Sequence, residues 1–477
     1  MPCAGAQPAP AGPEIDSVGA AASQMPSPAD TVVSVTPAWT VLPFAAYLLL
    51  IGLLPFFAGR FWESNRNRLV LGLLLGAPVI GHLLGRPGGA ALLGNAVIEY
   101  VSFIVLLGAL FVISGGICLR GSPAGTPLVN AIFLAIGAVL ANLIGTTGAS
   151  ALLIRPLLRA NHRRKRLTHL LVFFIFIVSN AGGMLTPLGD PPLLLGFLRG
   201  VPFAWTLRLA PQWALVNGLL LVLFAAFDGR ALGRDRLTAA DVPATMAAPA
   251  HPERLHIDGP LNILWLIGIV LTVLAAGTWG RSLLPNGHAR TLAQVLCMAT
   301  LTAASLKTTP RHVYEANRFS WAPIVEVAVL FAGIFVTMAP ALLFLEERGA
   351  SLGVTRPWQF FWASGLLSSV LDNAPTYLAF ASLATGVADH GAGVLNAANL
   401  GPLAAHPIGQ HLLAAVACGS VFMGANTYVG NGPNFMVKAI ADHQKAHTPT
   451  FLGYIFKYTL PYMMPMLLIV WWLFFRG

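Results

Sequence analysis

The chain has 477 residues, 56% of them hydrophobic and 10% charged, with a net charge of +10. Its mean hydropathy is +0.72. A soluble globular domain carries about 25% charged residues, so a water-soluble enzyme, a disordered protein and a nucleic-acid module are excluded; what remains is a polytopic membrane protein, whose excess of Lys and Arg reports topology and not an acidic partner.

Residues 1–37 are rich in Ala, Pro and Ser and hold no Lys or Arg. A cleaved signal needs a basic start and an apolar core, so this segment reads as a flexible polar tail. Apolar runs follow near 38–58, 68–85, 97–119, 126–158, 168–199, 204–228, 261–280, 289–306, 320–345, 358–386, 409–438 and 451–475. A straight span takes about 20 residues. Several runs exceed that and are interrupted by Gly, Pro, Asn and Asp, and 126–158 and 358–386 do not read as single crossings.

Positive charge resolves the layout. Arg155, Arg159, Arg163, Arg164, Lys165 and Arg166 form the strongest cytoplasmic mark in the chain. For Arg120 to share their face, 126–158 must dip into the membrane, turn at Gly145-Thr146-Thr147-Gly148, and leave where it entered. If 358–386 does the same from outside, turning near Asp372-Asn373-Ala374-Pro375, then 20 of the 28 Lys and Arg lie inside and 8 outside. The expected fold is an all-α polytopic membrane protein of about ten transmembrane helices and two re-entrant hairpins. Its multi-pass chain sits in the cell inner membrane with the N-terminus outside.

That layout repeats. Residues 38–228 run as three spans, a hairpin, an interrupted span and a final span; residues 261–477 repeat the order from the opposite face, after a cytoplasmic linker at 229–260. Inverted-topology repeats mark secondary transporters, with the substrate site where the broken elements meet. A channel or a membrane enzyme is the competing class; polar breaks can line a pore, whereas no metalloprotease or nucleophile-elbow motif occurs.

The breaks carry the candidate site. The hairpin tips contribute Thr146, Thr147 and Ser150 on one side and Asp372, Asn373 and Thr376 on the other. The interrupted spans contribute Ser179, Asn180, Gly182, Thr186, Gly189 and Asp190, and Asn426, Thr427, Asn431 and Asn434. Gly and Pro in mid-membrane free carbonyls and helix ends to face a ligand; helix N-termini suit anionic groups and unwound carbonyls suit Na⁺. Asp190, Asp372, Asn373, Thr146 and Thr147 form the expected cation and proton set, the others the substrate set. A carboxylate at membrane depth costs about 3 kcal/mol on insertion scales, so it needs a proton or a cation, and competition between the two is a coupling mechanism. Thr146 and Thr147 serve equally for helix packing through small residues, and capping ahead of Pro191-Pro192 is the plainer role for Asp190. Glu99 and Glu326, at matching positions in the third spans, are candidates for a proton relay or for interfacial residues; His82 and His169 read as interfacial. Cys3, Cys118, Cys297 and Cys418 have no metal-type spacing, so no metal site is expected.

The strings SNAGGMLTPLGDPPLLLGF and GANTYVGNGPNF, with tips GTTGAS and LDNAPT, resemble the ion transporter superfamily. That group includes citrate–metal symporters, divalent-anion/sodium symporters, arsenite-efflux pumps and a class of bacterial sodium/proton antiporters. The resemblance covers about residues 40–475 and implies two inverted repeats, each with a hairpin and a broken helix, and sodium and substrate sites at the residues named above. It also allows for a homodimer, since family members often pair. The dicarboxylate symporters carry Ser-Asn-Thr at each tip, where this chain has Gly-Thr-Thr and Asp-Asn-Ala; its Gly-Asp pair at 189–190 is like that of the antiporters. The expectation is Na⁺/H⁺ exchange, with coupled citrate or dicarboxylate transport as the alternative. No cofactor is expected beyond Na⁺ or H⁺ as coupling ions, and the expected partners are a small cation or carboxylate and the lipid bilayer.

Overall fold

The apolar runs fold as helices in a computed structural model that describes residues 36–121, 125–162, 164, 166–239, 256–279, 282, 284, 286–389, 394–444 and 446–477. Nearly all of the N-terminal tail, Arg163 and Lys165 of the basic cluster, and the middle of the linker lie outside those residues. The first half holds α1 (Val41–Phe57), α2 (Asn65–Leu84), α3 (Gly89–Gly115), α4 (Pro127–Ala160), α5 (Thr168–Ile177), α6 (Pro191–Leu198) and α7 (Ala210–Ala239). The second holds α8 (Leu261–Thr278), α9 (Gly287–Thr308), α10 (Ala322–Arg348), α11 (Pro357–Ser368), α12 (Asn373–Asp389), α13 (Pro407–Met423) and α14 (Gly432–His443), then α15 (Phe451–Phe475). Among the described residues the one sheet is a strand pair, Cys118–Arg120 against His256–Asp258, antiparallel with Cys118 opposite Asp258. An ion pair between Arg120 and Asp258 fastens it.

Helix α4 is not one rod. Gly145 has φ +76° and ψ 156°, a backbone state closed to most L side chains, and the chain doubles back there. Asn130 and Asn161, 31 residues apart, would be separated by about 46 Å along a straight helix. Instead their side chains exchange hydrogen bonds of 3.0 and 2.7 Å. The base of this hairpin is fastened by the carboxylate of Asp228 on α7. It lies 2.7 Å from His169 Nε2, accepts from Asn130 at 2.9 Å, and pairs with Arg164 at 2.6 Å. His169 is therefore a buried clamp at the base of the hairpin. The second hairpin is α11 and α12, with Phe360 and Phe380 meeting edge to face across it at 6.4 Å between ring centroids.

Eleven of the described helices are long and apolar enough to cross a membrane, α4 among them. With α4 folded back on itself ten crossings remain, and the α11 and α12 arms, 12 and 17 residues, make the second hairpin. The ten-plus-two architecture is as expected.

Burial orders the helices radially. In the two interrupted spans, Thr168–Leu185 and Pro407–Asn426, 89% and 78% of residues are buried; in α8 and α9 the figures are 22% and 11%. The interrupted spans are thus the centre of the molecule, and α8 and α9 present apolar surface outward, as lipid requires. Packing also interlocks the halves: α6 lies against α12 and α14 against α4, so each broken helix leans on the other half's hairpin. Helix α10 packs against α1, α2, α3 and α12 and ties the periphery to that centre.

Candidate transport site at the helix breaks

Each interrupted span breaks in the same way. After α5 the chain leaves helical geometry at Asn180 (φ −140°, ψ −83°), makes a tight turn over Ala181–Leu185, and is extended at Thr186. It restarts as α6 behind Asp190. In the second half α13 gives way to a turn at Gly424–Asn426 and an extended Thr427, and α14 restarts behind Asn431. The two breaks share one pattern in register: Ser179 with Ser420, Gly183 with Gly424, Thr186 with Thr427, Gly189 with Gly430, Asp190 with Asn431, Pro192 with Pro433. The glycines are required by contact. A Cβ on Gly189 would lie 1.9 Å from the carbonyl oxygen of Gly183, and one on Gly430 2.6 Å from that of Gly424.

The carboxylate of Asp190 is the hub of the site. Its Oδ1 accepts from the Thr146 hydroxyl at 2.9 Å and from the Asn431 amide at 3.1 Å; its Oδ2 accepts from the Asn373 amide at 2.7 Å. The three donors come from the two hairpin tips and the opposite broken helix. Each begins a helix, as does Asp190, so four helix N-termini with their partial positive charge converge on one carboxylate. Asp190 is 1% exposed and Asn373 0%, so these bonds are shielded from bulk solvent. Although Asp190 holds the N-cap position of α6, its side chain makes no capping bond; the capping role open to it in the sequence is not the one it takes. The amide oxygen of Asn373 is buried with no partner, and a flipped Asn373 amide would offer Asp190 an acceptor in place of a donor.

The other expected residues form a second layer around this hub. Asn431 also donates to the Ser179 carbonyl at 3.1 Å and to Asn180 Oδ1 at 3.2 Å. Asn180 donates to Asn434 Oδ1 at 2.7 Å, and Asn434 donates to the carbonyls of Gly424 and Thr427 at 2.9 Å. The hydroxyls of Ser150 and Ser179 lie 2.8 Å apart. Thr427 donates to the Ser369 carbonyl and Asn426 to the Ser369 hydroxyl. Thr186 donates to the Asn142 carbonyl, and Gly182 accepts from the Asn142 amide. Thus Asn142 and Ser369, one in each hairpin, bind equivalent points of the two breaks. Neither stood among the expected ligands, though both lie in the hairpin sequences beside the tips.

Asp372 makes no hydrogen bond to the hub, although its charge acts on Asp190. It accepts from the backbone N–H of Ala374 at 3.2 Å, and the Thr376 hydroxyl donates to its carbonyl; it shapes the second tip without a hydrogen bond to Asp190. Glu99 and Glu326 are held in ion pairs, with Arg199 and Arg68 respectively, both at 2.9 Å. Thr147 lines a cavity of about 70 Å³ beside Gly145, Thr146, Gly189 and Asp190, with Phe111 of α3 and Ile324 of α10 also in its wall. This space is large enough to admit water beside the Asp190 carboxylate. Among the described residues no group of three or more His, Cys, Asp or Glu is placed to hold a metal ion.

A family model for putative citrate transport matches residues 33–475. The chain belongs to that family. No curated protein matches it. Membership in the citrate-transport family and the apolar helices together make this a multi-pass membrane transporter of the ion transporter superfamily. The family match spans both helix breaks and both hairpin tips, so the whole hub falls within it.

Proposed function

We propose that the protein is an ion-coupled secondary active transporter of the inner membrane that exchanges Na⁺ for H⁺, with Asp190 as the carrier of either ion. One observation carries this reading: a buried carboxylate ringed by donors from both hairpins, beside an Asn373 amide whose oxygen is unpartnered. With Asp190 ionised, the three donors satisfy it. With Asp190 protonated, its O–H finds an acceptor once the Asn373 amide turns over, so the Asp190 carboxyl has a hydrogen-bond partner in either protonation state. A small cation takes the same carboxylate together with the Asn373 oxygen and nearby break carbonyls. The site cannot favour both ions at once, and that exclusion couples their movement.

Coupled transport of citrate or a dicarboxylate is the second reading. The family match supports it, and so do the four converging helix N-termini, whose combined positive end charges exceed the single charge of Asp190. Purified protein in sealed vesicles separates the two. On Na⁺/H⁺ exchange, a Na⁺ pulse dissipates an imposed pH gradient and labelled citrate stays outside. Citrate accumulation together with an unaffected pH gradient decides for the second reading.

A further inference from the structure

A second cavity, of about 700 Å³ and with charged residues in its wall, lies where α6 ends. Helix α6 spans 8 residues, which places this cavity about 12 Å along the helix from Asp190. Its walls include Glu99 of α3, Arg199, His288 and Arg290 of α9, Glu346 of α10 and Asn399. The charges can be accounted for one by one. Arg199 is committed: its Nε and Nη2 donate to Glu99 Oε2 at 3.2 and 2.9 Å, and its Nη1 to the Ala397 carbonyl at 3.3 Å. Glu347, beside Glu346, is satisfied by the backbone N–H and hydroxyl of Thr36 at 3.2 and 2.9 Å. Asp389 of α12 accepts from the N–H groups of Val394 and Leu395 at 2.8 Å. His288 is exposed and Arg290 half-buried, at the rim.

Glu346 is the exception. The N–H of Ala397 bonds its carboxyl, but Oε2 is buried without any hydrogen-bond partner. The charge of Arg199 acts on it against the like charges of Asp389 and Glu347, but the hydrogen bonds of Arg199 go to Glu99 and Ala397 and none reaches Glu346. Leaving one oxygen of an ionised carboxylate buried and unpaired costs far more than leaving a neutral one. A bound metal cation would need several oxygens, whereas a proton needs only one.

We infer that Glu346 is a second proton-binding carboxylate, at the end of α6 remote from Asp190, which exchanges protons with the 700 Å³ cavity. The inference rests on the ion-coupled reading for its purpose but not for its test. Infrared difference spectra of the reconstituted full chain between acidic and alkaline pH read the carboxylic C=O stretch directly, whatever cargo is carried. The wild type is expected to show a titrating band that Glu346→Gln loses and Asp190→Asn keeps. Glu346→Asp, which retains the acid, is expected to keep a displaced band, and both variants are checked for a monodisperse elution profile. A folded Glu346→Gln with the wild-type spectrum, or a folded Glu346→Asp with no such band, overturns the inference. So does a band that Na⁺ at fixed pH removes in wild type and Asp190→Asn alike, because it marks a metal-cation site. Loss of a band in Glu346→Gln but none in Asp190→Asn leaves this site standing and removes the carrier proposed for transport.

Discussion

At Asp190 three donors from three elements meet one carboxylate, so single substitutions can separate charge from shape. Asp190→Asn keeps the side-chain volume and places an NH₂ group against the Asn373 amide. That conflict is relieved when Asn373 turns over and presents its unpartnered oxygen. The variant is therefore expected to fold, shown by wild-type elution and thermal unfolding in detergent, and to lose all coupled ion movement in vesicles. Retained pH-dependent exchange would remove Asp190 from the mechanism. Thr146→Val preserves shape and deletes one donor of 2.9 Å. A hydrogen bond to a charged group is worth about 2 kcal/mol, so the half-saturating Na⁺ concentration is expected to change roughly 30-fold with little change in unfolding temperature. An unchanged Na⁺ dependence would show that the hydroxyl only packs.

The elements that build the site are held by backbone contacts too close for any side chain. Gly189→Ala would drive a Cβ to 1.9 Å from the Gly183 carbonyl oxygen, and Gly430→Ala one to 2.6 Å from that of Gly424. Overpacking costs about 1–3 kcal/mol where side chains yield, and here the obstacle is backbone. Both substitutions are expected to lower the unfolding temperature, Gly189→Ala more. Gly218→Ala on α7, with nothing within 4 Å of the added carbon, is expected to be neutral or stabilising by up to about 1 kcal/mol through helix propensity; equal effects at all three would refute the close-approach argument. These breaks were legible in the sequence because Gly, Pro and Asn in an apolar run announce a departure from helix locally. Partnerships between distant elements were not. Nothing at Glu99 or Glu326 points to Arg199 or Arg68, and His169 near the start of an apolar run gives no hint of Asp228, 59 residues on. Asn142 and Ser369 escaped for the same reason: their meaning lies in the breaks they touch. Asp372 is the converse case, a conspicuous carboxylate whose bonds are local to its own turn.

At the scale of the molecule, the question is whether the two hairpins enter from opposite faces, as the division of Lys and Arg requires. His162, at the base of the first hairpin, and Thr355, at the base of the second, are both exposed, so each can carry a reporter. In a background with Cys3, Cys118, Cys297 and Cys418 replaced by Ser, His162→Cys is expected to react with a membrane-impermeant maleimide only after permeabilisation. Thr355→Cys is expected to react in intact cells. Labelling of both from one side would refute the inverted arrangement, and the consequence would reach the site itself. With opposed hairpins, the tip bearing Thr146 and the tip bearing Asn373 approach Asp190 from the two sides of the membrane, and withdrawal of either exposes the same carboxylate to a different compartment. With both hairpins on one face, the hub would open to that face alone, and Asp190 could bind an ion but not carry it across.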